Sequence, residues 1–399
     1  MKKYIILALS LLTVLGCAQF EELKGVSEVK PLTTGVTVTT NTVDASVPRP
    51  DSYTVRFINY DEKLDISAQT DATGKVSVSN LIPGRYNVTV SAEVAHSGFT
   101  YYYSGTLTNK VITSDAALSI DVAASKAGAL IFKEIYFNGS TGYYFKDQFY
   151  EIYNNSEEVQ YVDGLCIGTL MPATASTIIY NWIVEDGHPE NYVYLGAVWQ
   201  IPGSGTDYPV KPGESIIIAQ GAQNHKLIKE TSPVDLSKAE FETFIVNQTV
   251  NPDNPESVNM TLKIDFNVFG TQWLSSVFGC AYVIFFPDRE FDNSTWVQPD
   301  GYTTKAKEFP IDCIIDGVEL VNNATKINQK RMPTTLDAGA TFTGGTYTGK
   351  SVSRKIRSSQ NGRNLYMDTN NSSDDFQVNE VAEVRRDGVG IPSWSPAAK

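Results

Sequence analysis

The residues best placed to do chemistry are the aromatics between Leu170 and Tyr208. Tyr180, Trp182, Tyr192, Tyr194, Trp199 and Tyr208 fall in one stretch with Gly and Pro around them. A connection of that length is uncommon unless it is functional or ordered by packing. Aromatic rings in a loop on a rigid scaffold suit a partner surface, a sugar ring or a planar chelate. Trp182, Tyr192, Tyr194 and Trp199 are therefore candidate ligand-binding residues. The competing reading packs these rings onto their own domain.

Catalytic patterns are missing. The sequence holds no His-Glu-x-x-His, no Gly-x-Ser-x-Gly, no phosphate-binding Gly-rich loop and no Cys-x-x-Cys. His96, His188 and His225 are far apart, and His188 precedes Pro189 in a loop. Glu21-Glu22 and Glu157-Glu158 are adjacent in sequence and give no flanking geometry for glycoside hydrolysis. Asp368, Asn370, Ser372 and Asp374 alternate oxygen donors as calcium loops do. Ser373 and Asn379 stand where such a loop needs Gly and an acid, which favours a self-capped Asx turn. Asp288 to Asn293 is a weaker candidate of the same kind. The expectation is a protein that is not an enzyme and carries no metal centre or cofactor. Cys166, Cys280 and Cys313 lie in apolar, strand-like contexts and read as buried, inert thiols.

Composition narrows the class. Among 399 residues, 32 Lys+Arg against 45 Asp+Glu give a net charge of −13, which argues against sequence-independent nucleic-acid binding. The many Val, Thr and Tyr, with 29 Gly and 18 Pro, favour β-structure. A chain of this length has room for two ordinary domains.

The start of the chain supplies an address. Lys2 and Lys3 precede the apolar run Tyr4 to Leu15, which is too short to span a bilayer and ends in Val14-Leu15-Gly16-Cys17. This resembles the bacterial lipobox, with Leu15 bulkier than the usual small residue. The resemblance implies cleavage after residue 16 and acylation of Cys17, so the mature protein is held to a membrane by its lipid. The acidic Glu21-Glu22 behind Cys17 resembles the surface-export signal of Bacteroidota lipoproteins. It implies the outer membrane, with the protein facing the cell exterior.

Period-two alternation governs residues 32–124. Val36 and Val38, Val55 and Phe57, Val88 and Val90, and Leu118, Ile120 and Val122 alternate with polar residues, the pattern of half-buried strands in a β-sandwich. Asp71-Ala72-Thr73-Gly74-Lys75-Val76-Ser77-Val78 followed by Leu81-Ile82-Pro83-Gly84-Arg85-Tyr86 resembles the carboxypeptidase-regulatory or transthyretin-like sandwich. Phe99-Thr100-Tyr101-Tyr102-Tyr103 reads as an edge strand with at least one tyrosine exposed. Beyond a polar junction at 125–128 the pattern changes. Asp147-Gln148-Phe149-Tyr150-Glu151-Ile152-Tyr153-Asn154-Asn155-Ser156, Asp163-Gly164-Leu165 and Lys211-Pro212-Gly213-Glu214 resemble the lamin-tail type of immunoglobulin-like sandwich. Glu151 and Asn154 read as structural. Ser237 and Glu240 have capping-box spacing ahead of Phe241, predicting one short helix packed on the sandwich.

The expected architecture is all-β. A leader (1–16) and a lipidated tether (17–31) precede a first sandwich (32–124) and a second, lamin-tail-like sandwich with long loops (126–399). As a whole the chain resembles a family of Bacteroidota surface lipoproteins of unknown function. Members of that family tend to accompany TonB-dependent outer-membrane transporters, which implies a role in ligand capture or as an accessory binding component. The alternative is a structural or adhesive surface protein without a small ligand.

Overall fold

A computed structural model of the chain describes residues 35–42, 49–96, 99–126, 128–178, 180–245, 252–268, 273, 275–292, 294–360 and 362–399. The leader, the tether, Cys17 and Glu21-Glu22 lie outside the described residues.

The fold is all-β. Among the described residues its α-helices are the short segments His225–Ile228 and Ser372–Asp375. In the N-terminal part, one hydrogen-bonded path runs Leu64–Gln69, Thr54–Asn59, Gly84–His96, Phe99–Ile112, Ala116–Lys126, Val36–Thr42, Lys75–Val78. Ala116–Lys126 is the corner. Ala116 to Val122 pair in parallel with Val36–Thr42, whereas Ala123 to Lys126 pair with Tyr101 to Ser104. This change of partner folds the path over one core, in which Val36, Val38, Val55, Phe57, Val88, Val90 and Leu118 are buried together. The Asp71 turn forms as its sequence implies: the Asp71 carboxylate accepts from Thr73 N (2.8 Å) and Lys75 N (3.0 Å). Gly74 closes the turn at φ +79°, and a Cβ there would meet Thr40 Oγ1 at 2.3 Å.

The Tyr101–Tyr103 strand is not an edge. It lies between two neighbours, and Tyr102 and Tyr103 are buried. Tyr103 points into the core, whereas the Tyr102 hydroxyl accepts from Arg357 of the C-terminal part. A long-range cover therefore replaces the expected exposed tyrosine. Arg357 also pairs with Glu93, Arg56 bridges Asp65 (2.5 Å) and Asp374, and Tyr60 meets Phe342 edge-on at 5.7 Å. The double variant R56A/R357A should loosen this contact and raise the radius of gyration in small-angle scattering. An unchanged scattering profile would show that the apolar contacts alone hold the two parts together.

From residue 128 onward two sheets face one another. The first runs Val258–Asn259, Phe241–Glu242, Ser215–Ala219, Phe149–Asn154, Leu130–Tyr136, Ser351–Arg354, Phe376–Asn379. The second runs Thr261–Asp265, Tyr192–Gln200, Cys166–Leu170, Ala281–Phe285, Ile314–Val321, Thr341–Phe342, with Lys307–Pro310 also on Tyr192–Gln200. Phe132, Tyr150, Ile152 and Ile216 of one sheet share a core with Ile167, Trp199, Tyr282 and Val318 of the other.

Leu130–Tyr136 and Phe149–Asn154 are buried at every position, including Lys133, Glu134 and Glu151. The chain's end covers that outer face. Lys133 Nζ donates to the Arg386 carbonyl (2.7 Å) and lies 3.4 Å from Glu151. Glu134 accepts from Ser351 (2.6 Å), Glu383 N (3.0 Å) and Arg386 Nε (3.0 Å). Glu151 also accepts from the Ser215 hydroxyl at 2.8 Å. Asn154 donates to the Glu158 and Val210 carbonyls and accepts from Ser156, so the Asn-Asn-Ser turn satisfies itself. Residues 237–245 form no helix. The Ser237 hydroxyl donates to Asp235 (2.7 Å), and Glu240 is fully buried, accepting from Ile217 N (2.7 Å), Arg385 and Ser395. With that carboxylate committed to distant groups, residues 241–242 extend as a parallel strand beside Ile218–Ala219.

Candidate functional site

The Leu170–Tyr208 insertion sends its aromatics to three places. Tyr192–Gln200 is a strand of the second sheet, not a loop. Trp199 is fully buried in the core, 6.1 Å from Trp273, and so cannot meet a ligand without unfolding. Tyr208 packs against Phe241 and Trp394. Tyr180, Trp182, Tyr192 and Tyr194 gather in a separate cluster with Ala306 and Val297.

In that cluster Trp182 stacks on Tyr194 at 4.4 Å with 7° between the rings. Tyr180 meets Trp182 edge-on at 5.4 Å and Tyr302 at 5.1 Å. The phenols also anchor the loop. Tyr194 donates to the Pro189 carbonyl (2.7 Å), Tyr192 donates to Asp186 (2.8 Å), and Tyr180 bonds Thr304 (3.0 Å). Main-chain pairing of Asn181 and Ile183 with Asp300 and Gln298 fixes the loop from outside. The rings therefore order the insertion, and one side of the cluster is the wall of a cleft.

That cleft has a volume of about 370 Å³. Ile178, Tyr180, Trp182, Tyr192 and Tyr194 form its wall, and Gln329, Lys330, Arg331, Thr334 and Thr335 form the floor. Arg331 is locked: its guanidinium meets Glu319 at 2.6 and 2.9 Å and donates to the Pro172 and Leu320 carbonyls. The second Glu319 oxygen accepts from Arg331 N (2.7 Å) and Met332 N (2.8 Å). Lys330 Nζ donates to the Met332 carbonyl (2.8 Å), and burial lowers its pKa. Glu190 stands at the rim beside His188 (3.1 Å). An aromatic side, a fixed basic floor and hydroxyl and amide groups can hold a ring-bearing polar molecule. The floor residues lie more than a hundred positions from the wall, and no local pattern marks them. The continuous apolar run Tyr192 to Trp199 does carry the signal of a fully buried strand.

The remaining candidates fall elsewhere. His225 is buried between Tyr144 (2.7 Å) and the Gly221 carbonyl (2.8 Å), and burial pushes its pKa down to about 4. His188 is exposed and shares no partner with it. Cys166, Cys280 and Cys313 are free thiols, and burial raises the pKa of each. The donors at 368–374 face different neighbours: Asp368 accepts from Gly128 N (2.8 Å), Ser372 donates to Asp337, and Asp374 pairs with Arg56. Asn371 caps Ser373 N (3.2 Å), so the segment is an Asx-capped turn.

Residues 211–383 match a sequence family described as "Protein of unknown function (DUF4876)". A crystal structure of a DUF4876 family protein from Bacteroides thetaiotaomicron is 36% identical, with a TM-score of 0.62, over 91% of this chain and 100% of that one. The chain belongs to the DUF4876 family. No curated protein matches it. The DUF4876 match spans the cleft floor and the buried Asp316, Arg354, Asp368 and Asp375. It stops short of Arg385 and Arg386, which close the sheet. Among the described residues no helix is long and apolar enough to cross a membrane.

Proposed function

We propose that this DUF4876 protein is a lipid-anchored surface protein of the outer membrane that captures a ligand through the Trp182–Tyr194 cleft, without catalysis. The cleft carries the reading: an aromatic wall, partly on the strand Tyr192–Gln200, faces a basic floor whose Arg331 is fixed by the buried Glu319 of Ile314–Val321. The lipobox-like Val14-Leu15-Gly16-Cys17 and the acidic residues behind it support a tether at Cys17 and display on the cell exterior. A TonB-dependent transporter is the partner that the family resemblance implies. It would accept ligand from a protein fixed beside it on the membrane.

Gentle-detergent pull-down from native membranes, with mass spectrometry of retained small molecules, tests this. The wild-type chain should retain a ring-bearing molecule and a transporter, and W182A should lose the small molecule while keeping its fold. W199F should retain it, because Trp199 lies in the core. A molecule retained equally by W182A would place binding elsewhere. The mutual packing of Trp182, Tyr194 and Tyr180 favours a second reading, a structural or adhesive protein. That reading predicts no retained molecule and capture of matrix or of further copies of the chain.

A further inference from the structure

A second cavity, of about 490 Å³, opens at the end of the sandwich and is separate from the Trp182 cleft. Phe145, Trp273, Val277, Phe278 and Tyr347 form its apolar walls. Among the described residues none of its lining side chains is charged. Thr169 supplies an unusual polar feature. Ile167 faces the gap between the sheets, so Thr169, two residues along the same strand, faces that gap too. Its hydroxyl is buried without a hydrogen-bond partner. Buried polar groups are normally satisfied, and leaving one unpaired costs about 1–3 kcal/mol.

The mouth is held under backbone strain. Tyr347 adopts φ +55°, and Tyr143, packed on it at 5.1 Å, adopts φ +59°. Aromatic residues rarely enter this left-handed region, and such strain gathers at ligand clamps. The surrounding loop over-determines the conformation: Tyr347 N donates to the Asn138 carbonyl (2.8 Å), and the Asn138 amide binds Thr343 (2.8 Å) and Thr348 (2.6 Å).

We infer that this cavity is a binding site for a neutral, largely aromatic small molecule whose one polar group pairs with the Thr169 hydroxyl. An ionised ligand is excluded because its charge would be buried without a counter-charge. The probes are N-phenyl-1-naphthylamine and its sulfonated analogue 8-anilino-1-naphthalenesulfonate, which share a ring system and differ by one anionic group. They are added to the full chain carrying Cys17→Ser, free of detergent, and energy transfer from Trp273 is read against W273F. The neutral probe should bind saturably and the sulfonate at least tenfold more weakly. Thr169→Val, which keeps the side-chain shape and removes the unpaired hydroxyl, should not lower the melting temperature and should weaken the neutral probe about fivefold. Thr174→Phe at the exposed rim should abolish its binding, and W182A should leave it unaltered. No saturable binding, equal affinity for the two probes, or an indifferent Thr174→Phe variant would overturn the assignment. Indifference to Thr169→Val would overturn the role of the hydroxyl.

Discussion

Replacing Arg354 with methionine should lower the unfolding free energy by at least about 3–5 kcal/mol, the range for removing one member of a buried ion pair. Arg354 is 2% exposed and, among the described residues, is the only cation paired with Asp316 (2.8 Å), Asp368 (3.2 Å) and Asp375 (3.2 Å), all buried. Its Nε also donates to the Phe132 carbonyl (2.9 Å), and Nη1 to the Met367 carbonyl (2.7 Å), so that with the Asp316 pair it ties both sheets to the 367–375 turn. Methionine fills much of the volume, so the loss would be electrostatic. Thermal melting checks this, with a fall of about 10 °C or more expected. A change within about 1 kcal/mol would mean that water reaches the three carboxylates.

The same imbalance sets a pH dependence. Burial raises the pKa of Asp316, and it pushes Asp375 and, elsewhere, Asp147 up to about 6. A carboxyl whose pKa is higher in the native chain than in the unfolded one makes the native chain bind the extra proton. The resulting stabilisation is complete below about pH 4 and is lost as pH rises through the native values. The melting temperature should therefore be higher at pH 5 than at pH 8, and R354M should steepen the fall. Exposed acids with lowered pKa, such as Asp71 and Asp292, act only below that window, whereas His225, pushed down to about 4, opposes the trend below about pH 6.5 and offsets part of the gain from the three carboxyls. A flat profile from pH 5 to 8 would contradict this account.

Deleting residues 384–399 should prevent the second sandwich from reaching its native state. The outer face of Leu130–Tyr136 and its neighbours buries Glu134, Glu151 and Glu240, and Lys133, Arg385 and Arg386 balance them. Losing the two arginines leaves three carboxylates against one ammonium, and losing Val384 and Val389 removes apolar cover from the clusters that hold Ile217 and Tyr153. The milder R385A/R386A variant should lose several kcal/mol. Far-ultraviolet dichroism and urea titration separate the two outcomes. A cooperative, wild-type-like transition for the truncated chain would show that the tail is dispensable.

These two effects also mark where sequence reasoning stops. Alternation in Val36, Val55, Val88 and Leu118 was legible because each strand buries one face against its near neighbours. Leu-Ile-Phe-Lys-Glu-Ile-Tyr at 130–136 reads as a strand, but Lys133 and Glu134 look solvent-facing. Their burial depends on residues some 250 positions later. Glu240 has capping-box spacing locally and is instead held by Arg385 and Ser395. The insertion revealed Trp182, Tyr192 and Tyr194 by composition, although Trp199 belongs to the core. The cleft floor at Lys330 and Arg331, and the hydroxyl of Thr169, carry no pattern beyond their own identities.

The placement of Arg385 and Arg386 has a consequence for biogenesis. The strands that hold Lys133, Glu134 and Glu151 leave the ribosome long before the arginines that complete their charge balance. Until residues 385 and 386 emerge, Glu134 and Glu240 lack the guanidinium partners that balance their burial. The charge balance of this sheet is therefore completed by some of the last residues to be synthesised.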